Sequence, residues 1–146
     1  MMTVSNTSGS AIAGALERIL VLFNRVRREQ LRRRHLNGES AYLLRLAAQP
    51  AGVRLSAYRE QVGIPDARAS QIVRPLAATG LLLVRRDQDN GRAKIIEITE
   101  SGRKTLAELD AAVEKALMAD LSEPASRTSD LRENIVRLYR ATKPPK

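Results

Sequence analysis

Residues Leu55–Gly102 read LSAYREQVGIPDARASQIVRPLAATGLLLVRRDQDNGRAKIIEITESG. Ser56 is positioned to cap a helix that stops at Gly63. A tight turn at Gly63–Pro65 follows, and a second helix starts after Pro65 with Asp66 as its candidate cap. Ala69, Ile72, Val73 and Leu76 fall on one side of that helix, and Gly80 ends it. The runs LLLVRR and KIIEIT then read as strands Leu82–Arg86 and Lys94–Thr99 around the charged tip DQDNGR. Asn90-Gly91 marks a hairpin turn, because both residues tolerate positive φ. Helix, turn, helix and basic hairpin in that order imply a winged helix-turn-helix, an architecture suited to double-stranded DNA.

The rest of the chain is helical by period. Ile12, Leu16, Ile19, Phe23 and Val26 recur at steps of four and three along a first helix expected over Ala11–Arg34. Leu20 and Leu31 widen that seam. So long an apolar stripe in a chain of 146 residues points to a second copy as part of its cover. Asn37 is the expected cap of a second helix, with Tyr42, Leu43, Leu46 and Ala47 on its inner face. Val53–Leu55 is expected to form a short strand. A fifth helix, about Gly102–Leu121, carries Leu106, Leu109, Val113 and Leu117; a sixth, about Ser129–Ala141, carries Leu131, Ile135 and Leu138. The expected fold class is mainly α with a small β wing. A winged helix-turn-helix over 37–102 is flanked by dimerisation helices in 1–36 and 103–146. The ends, MMTVSNTSGS and KPPK, read as disordered.

Composition narrows the chemistry. The formal net charge of +9 favours a polyanionic partner. There is no cysteine, which removes disulfides, thiolate metal sites and thiol redox sensing. His35 is the only histidine and lies in an Arg-rich run, where it reads as a solvated group near a helix C-terminus. A His-based metal site or a Ser-His-Asp triad therefore lacks its parts. No Gly-rich phosphate loop or paired catalytic carboxylates stand out, so neither an enzyme nor a cofactor is expected. No run reaches the ~18 apolar residues of a membrane span. The start lacks the basic segment of a secretory signal, and the expected location is cytoplasmic.

Major-groove reading needs Arg for guanine, Gln for adenine, and small hydroxyls for bases or phosphate. The expected second helix of the motif offers Arg68, Ser70, Gln71 and Arg74; the wing offers Arg85, Arg86, Arg92 and Lys94. Arg92, beside the tip, is the candidate for a narrow minor groove. The run RVRREQLRRRH is a candidate for flanking phosphates or an anionic ligand, and equally for a solvated face. A winged unit that binds protein or RNA instead of operator DNA is the competing reading.

Gly63–Gly102 resembles the MarR family of multiple-antibiotic-resistance-type regulators. The match rests on the recognition-helix segment, the following Gly80-Leu81, the Arg86-Asp87 entry to the wing, Arg92 after the tip, and the exit Ile98-Thr99-Glu100-Ser101-Gly102. The resemblance extends from about Leu16 to Leu138. It implies a homodimer joined by helices one, five and six that binds palindromic duplex DNA, usually as a repressor. It also implies release by a small aromatic or anionic molecule between the dimer and DNA-binding parts. Phe23, Arg27, Tyr42 and Leu46 are the candidate walls of that pocket, with Arg27 for an anion and Tyr42 for stacking. Five positions depart from the family pattern. Asn90 stands in place of an Asp, leaving Asp87 or Asp89 to brace the wing, and Pro65-Asp66 replaces a Ser cap. Arg59 replaces a small Ala, and Pro75 interrupts the recognition helix, where it is expected to bend or shorten it.

Overall fold

The computed structural model describes residues 9–120 and 125–142; of the ends expected to be disordered, 1–8 and 143–146 lie outside the described residues, whereas Gly9 and Ser10 already belong to the first helix. The element order is α1 (Gly9–Arg33), α2 (Gly38–Ala47), β1 (Val53–Arg54), α3 (Leu55–Val62), α4 (Asp66–Ala78), β2 (Leu82–Arg86), β3 (Lys94–Ile98), α5 (Glu100–Asp120) and α6 (Ala125–Ala141). The strands form one antiparallel sheet in the order β1-β3-β2. The register pairs Val53 with Ile96, Val84 with Ile96 and Arg86 with Lys94.

Local chemistry sets most boundaries. Asn37 caps α2 as expected: its Oδ1 accepts from the Ser40 backbone N–H at 2.8 Å and from the Ser40 hydroxyl at 3.0 Å. α1 closes with His35 at φ 56°, the Leu36 N–H reaching back to the Leu31 carbonyl at 3.0 Å. An imidazole thus occupies the left-handed position usually given to glycine. Gly63 takes φ 72° at the end of α3 and sends the chain into the turn. Gly102 is needed for a different reason: a Cβ there would collide with the Leu81 carbonyl, so α5 can leave the sheet only from a glycine.

Two of the expected caps are not caps. Ser56 lies inside α3, whose flanking residue is Arg54, without a side-chain cap. Asp66 is the first residue of α4, preceded by Pro65; its carboxylate meets Arg59 Nε at 3.0 Å. The Arg that replaces a small residue therefore turns outward and ties α3 to the start of α4. Pro75 does not shorten α4, which continues to Ala78. Its ring is exposed, and the Pro75 carbonyl accepts from both the Thr79 N–H and hydroxyl.

Two apolar clusters hold the fold. The first joins α2, α3, α4, the sheet and the start of α5 through Leu43, Leu44, Leu46, Tyr58, Ile72, Leu76, Leu82, Ile96 and Leu106. Ala69, Ile72, Val73 and Leu76 are buried on α4, as their spacing predicts. The second cluster packs Val26 and Leu31 of α1 against Ala41 of α2 and Leu109 and Val113 of α5. Toward its N-terminus α1 has no such cover: Ile12, Leu16, Ile19, Leu20 and Val21 are each at least half exposed. On α6, Ile135, Val136, Leu138 and Tyr139 are also exposed. Leu131, expected on the α6 stripe, lies outside the residues whose side chains are described. Covering the half-exposed remainder of a Leu or Ile contributes on the order of 1 kcal/mol each.

Candidate nucleic-acid interface

Antiparallel register decides which wing residues face α4. Directly paired residues put their side chains on the same face of a sheet, and neighbours along a strand alternate. Val84 and Ile96 are paired, and so are Arg86 and Lys94. Val84, Lys94 and Ile96 border a cleft of about 270 Å³ whose other wall is Ser70, Val73, Arg74 and Ala77 of α4. The structure thus brings Ser70, Arg74 and Lys94 together, with Arg86 on the same sheet face. Arg68, Gln71 and Arg74 are exposed along α4, and Ser70 is half-buried.

Arg85 is not brought together with the other wing cations. Its register places it on the opposite sheet face, paired with Ile95, and its Nε lies 2.7 Å from Glu97 Oε1. It braces the hairpin on the side away from α4. Arg92 is exposed at the tip, and its backbone N–H donates to Asn90 Oδ1 at 3.3 Å.

The wing turn also differs from expectation. Among the described residues only Gly52, Gly63, Gly80 and His35 have positive φ, so Asn90-Gly91 does not form a two-residue turn of the mirror type. The strands are instead joined by a loop over 87–93. Ala93 N–H donates to the Asn90 carbonyl, and Asp87 N–H to the Ala93 carbonyl, both at 2.9 Å. Asp87 is the brace. Its nearly buried carboxylate takes Arg54 Nη2 at 2.6 Å and the Asp89 N–H at 3.1 Å. Arg54, in the short strand β1, was not singled out from the sequence, where nothing local links it to a residue thirty-three positions away.

On the other side of α2, Phe23 and Arg27 share a second cavity of about 210 Å³ with Arg45, Leu109, Asp110 and Val113. The Arg27 guanidinium sits 5.7 Å from the Phe23 ring centroid. Burial, then the neighbouring Arg45, lowers its pKa below the usual guanidinium value, and Asp110 opposes that shift. Asp110 is committed elsewhere: it holds Arg45 through two hydrogen bonds of 3.0 and 2.5 Å, which raise the Arg45 pKa. Arg27 keeps only a 3.5 Å contact to the Gly38 carbonyl and no carboxylate of its own among the described residues. It also borders a cleft of about 410 Å³ with Asn24, Arg28, Arg32 and Asn37. The other two proposed walls lie elsewhere. The Tyr42 hydroxyl donates to Gln61 on α3 at 2.8 Å, and Leu46 is buried in the first apolar cluster. Tyr42 is also exposed and not on the inner face of α2.

No grouping of described residues could hold a metal ion, and no described helix is long and apolar enough to cross a membrane.

Comparison with solved structures fixes the architecture. A MarR-family transcriptional regulator from Rhodococcus sp. RHA1 superposes with a TM-score of 0.69 at 23% identity, over 94% of this chain and 99% of that one. The chain has the MarR-type winged-helix fold. CouR from Rhodococcus jostii RHA1, bound to p-coumaroyl-CoA, gives a TM-score of 0.65 at 22% identity over 96% and 100% of the two chains. A MepR variant from S. aureus, bound to an oligodeoxyribonucleotide, gives 0.59 at 18% identity over 90% and 98%. These neighbours are described as regulators or ligand- and DNA-bound proteins, not as enzymes. No family model and no curated protein matches the chain.

Proposed function

We propose that this chain is a sequence-specific, double-stranded DNA-binding transcriptional regulator, a homodimeric repressor released by a small anionic or aromatic ligand. One observation carries the reading: α4 and the wing converge so that Ser70, Arg74 and Lys94 border one cleft beside the exposed Arg68 and Gln71. In this reading α4 enters the major groove and Arg92 reaches the adjacent minor groove. Arg86 and Lys94 hold phosphates between them. The oligonucleotide on the MepR variant supports the use of this fold on DNA.

Dimerisation through α1, α5 and α6 accounts for the open apolar faces of α1 and α6. Two copies would set their recognition helices about one DNA turn, roughly 34 Å, apart over a palindromic site. The helical parts 1–36 and 103–146 then form the dimerisation unit, and 37–102 the DNA-binding unit. Arg27 and Phe23 are the proposed effector contacts, joined by Arg45 and the apolar wall of α5. The ligand-bound CouR supports an effector site in this architecture. The reading involves no catalysis or cofactor and places the protein in the cytoplasm.

The test is selection of bound duplexes from a random pool, followed by a salt titration. A palindromic motif is expected, with log K falling linearly in log salt at a slope of about −0.9 per neutralised phosphate. No selected motif, or affinity indifferent to salt, overturns the reading.

A further inference from the structure

Arg68 is the third residue of α4, within the turn from which recognition helices reach base edges. It is also held. Both its Nε and its Nη2 lie 3.1 Å from one oxygen, Oε2 of Glu39 in the first turn of α2. Arg74, Arg86, Arg92 and Lys94 have no such carboxylate partner among the described residues.

We propose that Glu39 is a positioning residue for base recognition: it holds one edge of the Arg68 guanidinium so that the opposite edge is presented to a guanine in the major groove. The proposal rests on the DNA-reading function above. A guanidinium is a rigid planar fork with five N–H groups. Glu39 occupies the Nε–Nη2 edge: Nε–H donates the hydrogen bond to its Oε2, and Nη2 lies at ion-pair distance from the same oxygen. The remaining edge, Nη1 with the second Nη2–H, has the two-pronged geometry that matches guanine O6 and N7. Fixing the side chain before contact also reduces the rotamer entropy lost on binding.

Glu39 itself rests on a stiff frame. Its carbonyl accepts from the hydroxyl of the fully buried Tyr58 at 3.0 Å. Its helix is capped by Asn37 through the Ser40 N–H at 2.8 Å. The Glu39–Arg68 pair is part-exposed, and pairs of that kind contribute little to stability. Its consequence therefore falls on recognition. Arg86 and Lys94, without carboxylate partners among the described residues, suit phosphates, which require charge and not a fixed fork.

The experiment uses the full chain and the motif it selects from random duplexes, with 7-deazaguanine placed in turn at each guanine to remove the N7 acceptor. One position per half-site is expected to cost the wild type on the order of tenfold in affinity. In Glu39→Ala and in Arg68→Ala that sensitivity falls to within twofold, while affinity for unrelated duplex DNA changes little for Glu39→Ala. Should Glu39→Ala melt early, Glu39→Gln keeps the shape and gives a partial loss of the same sensitivity. Tighter operator binding by Glu39→Ala with full 7-deazaguanine sensitivity makes Glu39 a competitor for Arg68 and overturns the proposal. A motif without guanine, or one whose guanine preference survives Arg68→Ala, also overturns it. These outcomes leave the DNA-reading function standing; a wild type that selects no motif sinks both.

Discussion

Arg54 of β1 and Asp87 of the wing loop meet at 2.6 Å, and the carboxylate that receives the guanidinium is the more deeply buried partner. The contact ties β1, one edge strand of the sheet, to the loop that joins β2 and β3. Asp87→Asn keeps an oxygen for the Asp89 N–H but removes the charge facing Arg54. Asp87→Ala removes both. Half of Arg54 is in water, which weakens the pair, so a loss of about 1 kcal/mol is expected for Asn and about 2 kcal/mol for Ala. Thermal melts measure the loss, and amide exchange over 87–93 should accelerate in the same order. Equal exchange in all three proteins would remove Asp87 as the wing brace.

Under the proposed function, Gln71 and Arg92 separate reading from holding. Gln71 is exposed on α4, while Arg92 is exposed at the loop tip. Gln71→Ala is expected to relax the selected motif at one position, with a cost of about 1–3 kcal/mol on the preferred base. Arg92→Ala is expected to weaken many sequences alike and to reduce the salt slope by about one. An unchanged operator affinity in Arg92→Ala would refute the wing assignment.

The parts of the fold legible in the sequence are those written in short-range spacing. The buried stripe Ala69, Ile72, Val73 and Leu76 follows from helical period, and the Asn37 cap from a side chain that can bond only its near neighbours. Arg54 with Asp87, Glu39 with Arg68, and Arg45 with Asp110 join different elements across 33, 29 and 65 positions. No periodicity encodes such pairs. The sheet face of Arg85 is hidden for the same reason: charge type groups it with the other wing cations, while register sets it beside Glu97 on the far face. Asn90-Gly91 carried a real local preference that the Asp87–Ala93 closure made unnecessary. Tyr42 had the right chemistry for stacking, yet its hydroxyl is committed to Gln61.

Leu16 tests the apolar face of α1 without disturbing the core, since it is 51% exposed while Val26 is buried against α5. Leu16→Asp is expected to leave the winged unit folded and to shift the sedimentation profile from dimer to monomer at micromolar concentration. Burying an unpaired carboxylate in each half of a symmetric interface costs several kcal/mol per dimer. A Leu16→Asp protein that still sediments as a tight dimer would move the interface away from this face. Deleting the first ~26 residues removes the same stripe and is expected to leave a monomeric or insoluble chain.

Tyr58 supplies a pH signature. Burial pushes its phenol up to about 12, with Glu39 adding to the rise and Arg68 opposing it. The neutral phenol is the form that the fold accommodates. Its contribution is therefore complete below the unfolded value near 10 and is lost as pH rises through about 12. Wild-type protein is expected to lose on the order of 1–2 kcal/mol across that window. Tyr58→Phe lacks the ionisation and should lose less over the same range, after a constant penalty of about 1 kcal/mol for the missing bond to the Glu39 carbonyl. Parallel alkaline melting curves for the two proteins would show that Tyr58 is not the titrating group.

Arg27 is desolvated, stacked on Phe23, and without a carboxylate partner among the described residues. A partly buried cation in that state contributes little to stability, because its lost hydration is not repaid by a pair. Arg27→Met keeps the long apolar stem over Phe23 and removes the charge. The Tm is expected to hold or rise slightly. Release from operator DNA by aromatic carboxylates, measured by competition across a small panel of acids, should drop at least tenfold. The matching neutral amides should release the wild type poorly. A variant that loses stability and keeps its response to acids would assign Arg27 to the framework and move the anion site to Arg45.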